Sequence, residues 1–289
     1  MGVKLKRKIF IILIIGIFFL VSFNTSGIKV KTNLENTNDL KNLEIRPIMK
    51  MDFETFEQNK KDYYNSEKAY IDTDLKKEIQ TTESYSILDL LDYIPSERDQ
   101  GWCGNCWAWP STGVMGIALN VQEGIFQRLS VQYINSCGEE YTSGFYKIEC
   151  CGGGNLDMFV NFYRATDKAI PWSNDNAHWQ DDRAQCRTTC DSISTEPHYP
   201  ISSIRAEIID THEIDEEIAK KKKKNILHQQ KGVYFSWYLP DMNYRQNFGE
   251  FWSNEDENDI YNLDWDCGAD FSEEEGGGHA VLCVGYNDE

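Results

Sequence analysis

The chain has 289 residues and carries 29 basic against 47 acidic side chains, a formal net charge of −18. Hydrophobic residues make up 40% and aromatics 13%, which excludes a disordered chain and supplies a core for one large domain or two lobes. The acidity is uneven: residues 1–84 hold 14 basic and 12 acidic side chains, residues 85–289 hold 15 and 35. A body this acidic repels phosphate, so nucleic acid is disfavoured as a partner, and solubility alone accounts for the charge.

The N-terminus opens on Lys4, Lys6, Arg7 and Lys8, and an apolar run follows from Ile9 to Phe23. That run suits the core of an export signal and is short for a membrane span. Small residues at Thr25-Ser26-Gly27 end it, so residues 1–27 read as a signal peptide, or as a membrane anchor over 9–23 if it is not removed. Export implies a secreted or cell-surface protein. Residues 28–84 are polar and contain neither Cys nor Trp, and read as a pro-segment or spacer. Asp52 to Ile79 can form helix, with Phe53, Phe56 and Tyr63 or Tyr64 on one face.

The body begins near Tyr85. A helix is predicted after Asn105, with Trp107, Val114, Met115, Ala118 and Val121 on its buried side. Leu129–Cys137 reads as a short helix, and Leu156–Tyr163 as another after the run Gly152-Gly153-Gly154. Glu213–Gln230 is a polar helix whose Lys220–Lys224 run has acidic neighbours one turn before it, the pattern of a solvated face. Val233–Leu239 and His279–Tyr286 carry strand signals, and an acidic, aromatic loop region spans 253–275. Its Asp264-x-Asp266 start does not continue as an EF-hand loop.

All nine cysteines lie at or beyond residue 103, which suggests disulfides in an oxidising compartment or a metal site. The histidine spacing is wrong for a zinc finger, so no metal is assigned, and no organic cofactor is expected. A cysteine ahead of a helix sits near the positive end of its dipole, which favours the nucleophilic thiolate. Cys106 has that place. The Cys103-x-x-Cys106 spacing by itself would equally suit a redox pair or a structural disulfide.

Gln100-Gly-Trp-Cys-Gly-Asn-Cys106-Trp-Ala-Trp109 resembles the active-site segment of the papain family of cysteine peptidases, Q-G-x-C-G-S-C-W-A-F, with Asn105 for Ser and Trp109 for Phe. Leu129–Cys137 resembles L-S-x-Q-x-L-x-D-C, Cys151–Gly154 resembles C-x-G-G, and Gly277–Tyr286 resembles the family's histidine strand. The resemblance covers about 85–289. It implies an α+β, two-lobed fold, with a helical lobe and an antiparallel, barrel-like β lobe either side of a cleft. It implies an endopeptidase with Cys106 as nucleophile and His279 as general acid and base, and with Gln100 and the Cys106 N–H as oxyanion donors. Peptides and proteins are then the substrates. Gly153, Gly154, Asn155, Leu156, Trp107 and Ala280 are the implied substrate contacts. Cys103–Cys151 is the implied bridge. Cys137 is expected to pair with Cys186 or Cys190 and Cys150 with the other, while Cys267 has no evident partner and Cys283 reads as a buried thiol. His178, His198, His212 and His228 have no motif and read as structural or solvated.

Three departures from the family stand out. Pro110 falls inside the helix that Cys106 precedes. Cys106 and His279 are 173 residues apart, against roughly 130–150 in the family, which implies an insertion within 165–275. The chain stops ten residues after His279, before the family's Asn-Ser-Trp segment, so the resemblance implies a C-terminally incomplete sequence. Residues 28–84 occupy the place of an inhibitory pro-segment. The rivals are a papain-like binding module without turnover, and a thiol–disulfide oxidoreductase using Cys103 and Cys106.

Overall fold

In the computed structural model, residues 11–18, 48–50, 52–92, 94, 98–211, 214–254, 259–261, 272 and 274–288 are described. The apolar N-terminal run supplies β1 (Ile11–Phe18). An unbroken apolar stretch of this length suits a strand inside a sheet as well as a signal core. Asp52 accepts from the Thr55 N–H and starts α1 (Phe53–Asn65). The helix expected to run on to Ile79 breaks at Ser66 and resumes, after one 3₁₀ turn, as the short α2 (Lys76–Thr81). β2 (Ser84–Ser86) then enters the body.

Three helices build one side of the molecule. α3 (Ala108–Glu123) has Pro110 at its third position, where its missing N–H costs no intrahelical bond. It ends on Gly124, whose φ of +67° favours glycine. Val114 and Met115 are buried as expected, whereas Val121 faces solvent. α4 (Val131–Tyr141) is capped by Ser130 and α5 (Leu156–Thr166) by Asn155, each side chain accepting from the N–H three residues on.

A short ribbon, β3 (Lys168–Ala169) with β4 (Tyr199–Pro200), leads into β5 (Ser203–Ile208). α6 (Glu216–His228), β6 (Val233–Leu239), α7 (Met242–Asn254), β7 (Gly277–Cys283) and β8 (Gly285–Asn287) follow. The main sheet runs β5-β1-β6-β7, with β1 parallel to both neighbours and β6 antiparallel to β7. Among the described residues it is an open sheet with two parallel pairings, not a closed antiparallel barrel, because β7 and β5 do not meet. α3 lies between β6 and β7 on one side and α4 and α5 on the other. Its core residues Val114, Met115 and Leu119 share a cluster with Phe159, Phe162 and Tyr163. Among the described residues no helix is long and apolar enough to cross a membrane.

Candidate active site

Cys106 lies in the turn just ahead of α3, with the Ala108 N–H donating to the Asn105 carbonyl across it. The loop that delivers it is pinned from two directions. A disulfide joins Cys103 to Cys151, and Gly101 turns at φ +62° against the Asp182 backbone, where no side chain would fit. The Gln100 side-chain amide donates to the Cys103 carbonyl at 2.8 Å. His279 comes from β7, directly opposite Trp237 of β6. The Trp237 ring meets it edge-on at 5.2 Å and the Phe248 ring of α7 lies 4.9 Å away.

Gln100, Cys106, Phe248, His279 and Ala280 line one cavity of about 370 Å³. Residues 173 apart in sequence are thus brought to one wall by α3 and β7. The Cys106 Sγ is 3.9 Å from the Gly278 carbonyl oxygen.

This site is closed over. Met49 forms an antiparallel bridge with Gly278, its N–H donating to the Gly278 carbonyl at 2.8 Å and its carbonyl accepting in return at 2.9 Å. Met49 is itself 3% exposed and packs in the same core cluster as Cys106. Burial pushes the Cys106 thiol up to about 12, against a weaker downward pull from the backbone N–H groups of Ala280, Met49, Trp107 and its own. Burial also lowers His279 to about 4. Both directions favour the uncharged thiol and imidazole. In the covered state desolvation is the largest influence on both groups and works against the thiolate expected ahead of a helix.

Gly153, Gly154 and Trp107 do not line that cavity; Gly153 lies against Met49 and Lys50, and Gly154 against Trp107. A methyl group at Gly153 would sit 2.5 Å from the Lys50 carbonyl oxygen, and one at Gly154 would sit 2.6 Å from Cζ2 of Trp107. Trp107 is buried and donates from its indole nitrogen to the Gly152 carbonyl at 3.0 Å. The Asn155 amide caps α5 and also donates to Asn59 Oδ1 of α1 at 2.6 Å. Leu156 is buried in the helical core, and neither it nor Asn155 lines the cavity with Cys106 and His279.

Two further disulfides join Cys137 to Cys190 and Cys150 to Cys186. Cys106 and Cys283 are thiols, and Cys267 lies outside the described residues, as do Asp264, Asp266 and His212. The sulfurs of Cys150, Cys151 and Cys186 lie within 4.8 Å of one another, but disulfides use all three. Because Cys103 is bonded to Cys151, it is not available as a redox partner for Cys106.

His178 is exposed, and His198 is 3.1 Å from Glu196. His228 is buried, 3.0 Å from Glu78 and 2.9 Å from the Tyr286 hydroxyl, stacked on Tyr85. Sequence reasoning missed Phe248 and Asn135; α7 shows no clear apolar stripe, and Asn135 stands at an open position of its motif.

A family model described as papain family cysteine protease matches residues 88–250, more than half of the chain. The chain belongs to the papain family of cysteine proteases. The matched stretch contains Gln100, Cys106 and the glycine run, while His279 lies beyond it. Cathepsin L1 of Drosophila melanogaster is 28% identical over 93 residues, 30% of this chain and 24% of that protein. Cysteine proteinase RD21A of Arabidopsis thaliana is 27% identical over 118 residues, 39% of this chain and 24% of that protein. The chain thus matches about a quarter of each relative's length. Among solved structures, procathepsin B S9 from Trypanosoma congolense superposes with a TM-score of 0.50 at 16% identity, covering 84% of this chain and 72% of that one. That likeness supports the α+β papain fold.

Proposed function

We propose that this chain is a cysteine endopeptidase acting on peptides and proteins through Cys106 and His279. The observation that carries the reading is that both, with Gln100, line one cavity at the start of α3. Once the cleft is opened to water, His279 takes the Cys106 proton and the thiolate attacks the peptide carbonyl. The oxyanion is held by the Cys106 N–H and by the Gln100 amide, which carries two hydrogens and uses one on the Cys103 carbonyl. His279 protonates the leaving amine, and a thioester to Cys106 remains. Water activated by His279 then releases the acid product. Ala280 lines the cavity, and Gly153 lies under Met49 and Lys50; with Gly154 they face substrate in this reading once residues 28–84 leave, with Trp107, Asn155 and Leu156 behind them.

Residues 28–84 are the pro-segment in this reading. Met49 covers the Cys106 side of the cleft, and Asn59 of α1 holds Asn155 on one bank and the Tyr238 hydroxyl on the other. Export through residues 1–27 fits the three disulfides. N-terminal sequencing of the exported chain decides between a removed leader and a retained β1. The test of the reaction is peptide cleavage by the processed chain. Cys106→Ala is expected to abolish it and Cys106→Ser to leave only a trace. Full cleavage by Cys106→Ala would overturn the mechanism, and peptide capture without turnover by the unaltered chain would favour the binding module.

A further inference from the structure

A departure from the family pattern and a residue that the pattern leaves open meet inside the protein. Asn105 stands where the pattern has Ser, and Asn135 stands at an open position of the α4 motif. The Asn105 amide donates to Asn135 Oδ1 at 3.0 Å. The same oxygen accepts the Cys151 backbone N–H at 3.0 Å. Asn135 Nδ2 in turn donates to Asp181 Oδ2 at 2.9 Å, and the Gln132 amide donates to that oxygen at 2.6 Å. All four side chains are buried, with Asp181 only 1% exposed. Among the described residues no lysine, arginine or histidine forms an ion pair with Asp181. Among the described residues its carboxylate accepts from the side-chain amides of Gln132 and Asn135.

We propose that Asp181, Asn135 and Asn105 form a positioning relay that fixes the Cys106 N–H relative to the strand of backbone that carries Gly153 and Gly154. The proposal rests on the peptidase reading. One carboxamide oxygen ties the residue before the nucleophile to the residue two before Gly153. The Cys103–Cys151 disulfide and the Trp107 indole bond to the Gly152 carbonyl link the same two stretches. The Asn135 contact adds a third point, which ties the backbone at Cys151 to the residue just before the nucleophile. Asp181 fixes which way the Asn135 amide faces, because only its Nδ2 edge can donate to a carboxylate. The Trp109 indole nitrogen donates to Asn105 Oδ1 at 3.3 Å, which fixes the Asn105 amide in the same way. An oxyanion donor acts only when preorganised at the place where charge develops, so a small drift between these loops costs turnover more than substrate binding.

The test compares the processed wild type with Asn105→Ala and Asn105→Asp, using a fluorogenic peptide amide. Turnover is expressed per Cys106 alkylated rapidly by iodoacetamide at mildly acidic pH and located by peptide mass spectrometry, conditions under which a thiol not paired with His279 reacts slowly, so misfolded protein and Cys283 drop out. Alkylation at sulfur needs no oxyanion donor, so the titrated rate should stay within about twofold. Loss of the donor is expected to lower kcat per titrated site at least ~10-fold with KM within ~3-fold, in keeping with the cost of a broken buried hydrogen bond. Asn105→Asp keeps the shape and the acceptor for Trp109 but donates only when protonated. Its activity relative to wild type should therefore rise as pH falls, while that of Asn105→Ala should not. Unchanged kcat per titrated site in both variants overturns the relay while the peptidase reading stands. A wild type that alkylates at Cys106 but cleaves no peptide overturns the reading and the relay with it.

Discussion

Replacing Met49 by alanine should expose Cys106 without touching the residues that react. The Met49 side chain is almost fully buried in the cluster that contains Cys106, and its backbone makes two hydrogen bonds to Gly278. Truncation leaves both backbone bonds in place and removes the apolar cover, at a cost of about 2–3 kcal/mol to the closed state. Converted at 1.36 kcal/mol per decade, the open fraction rises by about 30- to 150-fold. The thiol reacts only when water reaches it, because burial holds it near 12 while covered. The rate of iodoacetamide labelling at Cys106, followed by peptide mass spectrometry of the full-length chain at neutral pH, should therefore rise by that factor. Labelling within about twofold of wild type would mean that Met49 is not what shields the thiol.

Acid should loosen the same cover. His279 is held near 4 in the closed site against an ordinary 6.5, so the closed state keeps its full stability above about 6.5 and loses it as pH falls through about 4. The protection factors of the Met49 and Gly278 amides, with the intrinsic pH dependence of exchange divided out, should fall between pH 7 and 4.5, and His279→Phe should flatten that response; identical pH dependence in both proteins would refute it. Gly154→Ala drives a methyl group against the Trp107 ring and should cost about 1–3 kcal/mol, read as a lower thermal midpoint together with lost turnover. Wild-type stability in that variant would show that the ring yields. His228→Ala removes contacts to Glu78 and Tyr286 and the stack on Tyr85, and should lower urea stability by about 2–3 kcal/mol. An unchanged urea midpoint would make this cluster energetically neutral.

Much of the helical side was legible because its signals are local. The helices expected after Asn105, over Leu129–Cys137 and over Leu156–Tyr163 are found as α3, α4 and α5, and the structure adds their caps at Ser130 and Asn155 and the stop of α3 at Gly124. Elsewhere the local signal misled. Phe53, Phe56 and Tyr63 or Tyr64 were expected on one apolar face of α1; Tyr63 is buried and Phe56 half-buried, whereas Phe53 and Tyr64 are exposed, since the face is chosen by what it covers. α7 went unread because Gly249 and scattered polar residues blur its period. Val121 continues the apolar spacing of α3 past the point where any neighbour packs on it, so it is left in solvent.

The sequence alone determined the chemistry on offer: a cysteine ahead of a helix, a histidine in a strand, a glutamine six residues before the cysteine, and glycines where backbone must approach backbone. These are properties of residue type and near neighbours. The tertiary structure decided what that chemistry does at rest. Cys186 and Cys190 were equivalent partners for Cys137 until the chain placed Cys190 beside it. The charge state of Cys106 and His279 likewise followed from a segment more than fifty residues upstream of the nucleophile, closing over both and removing their water. Desolvation is a property of the packed molecule, and no pattern of nearby letters encodes it.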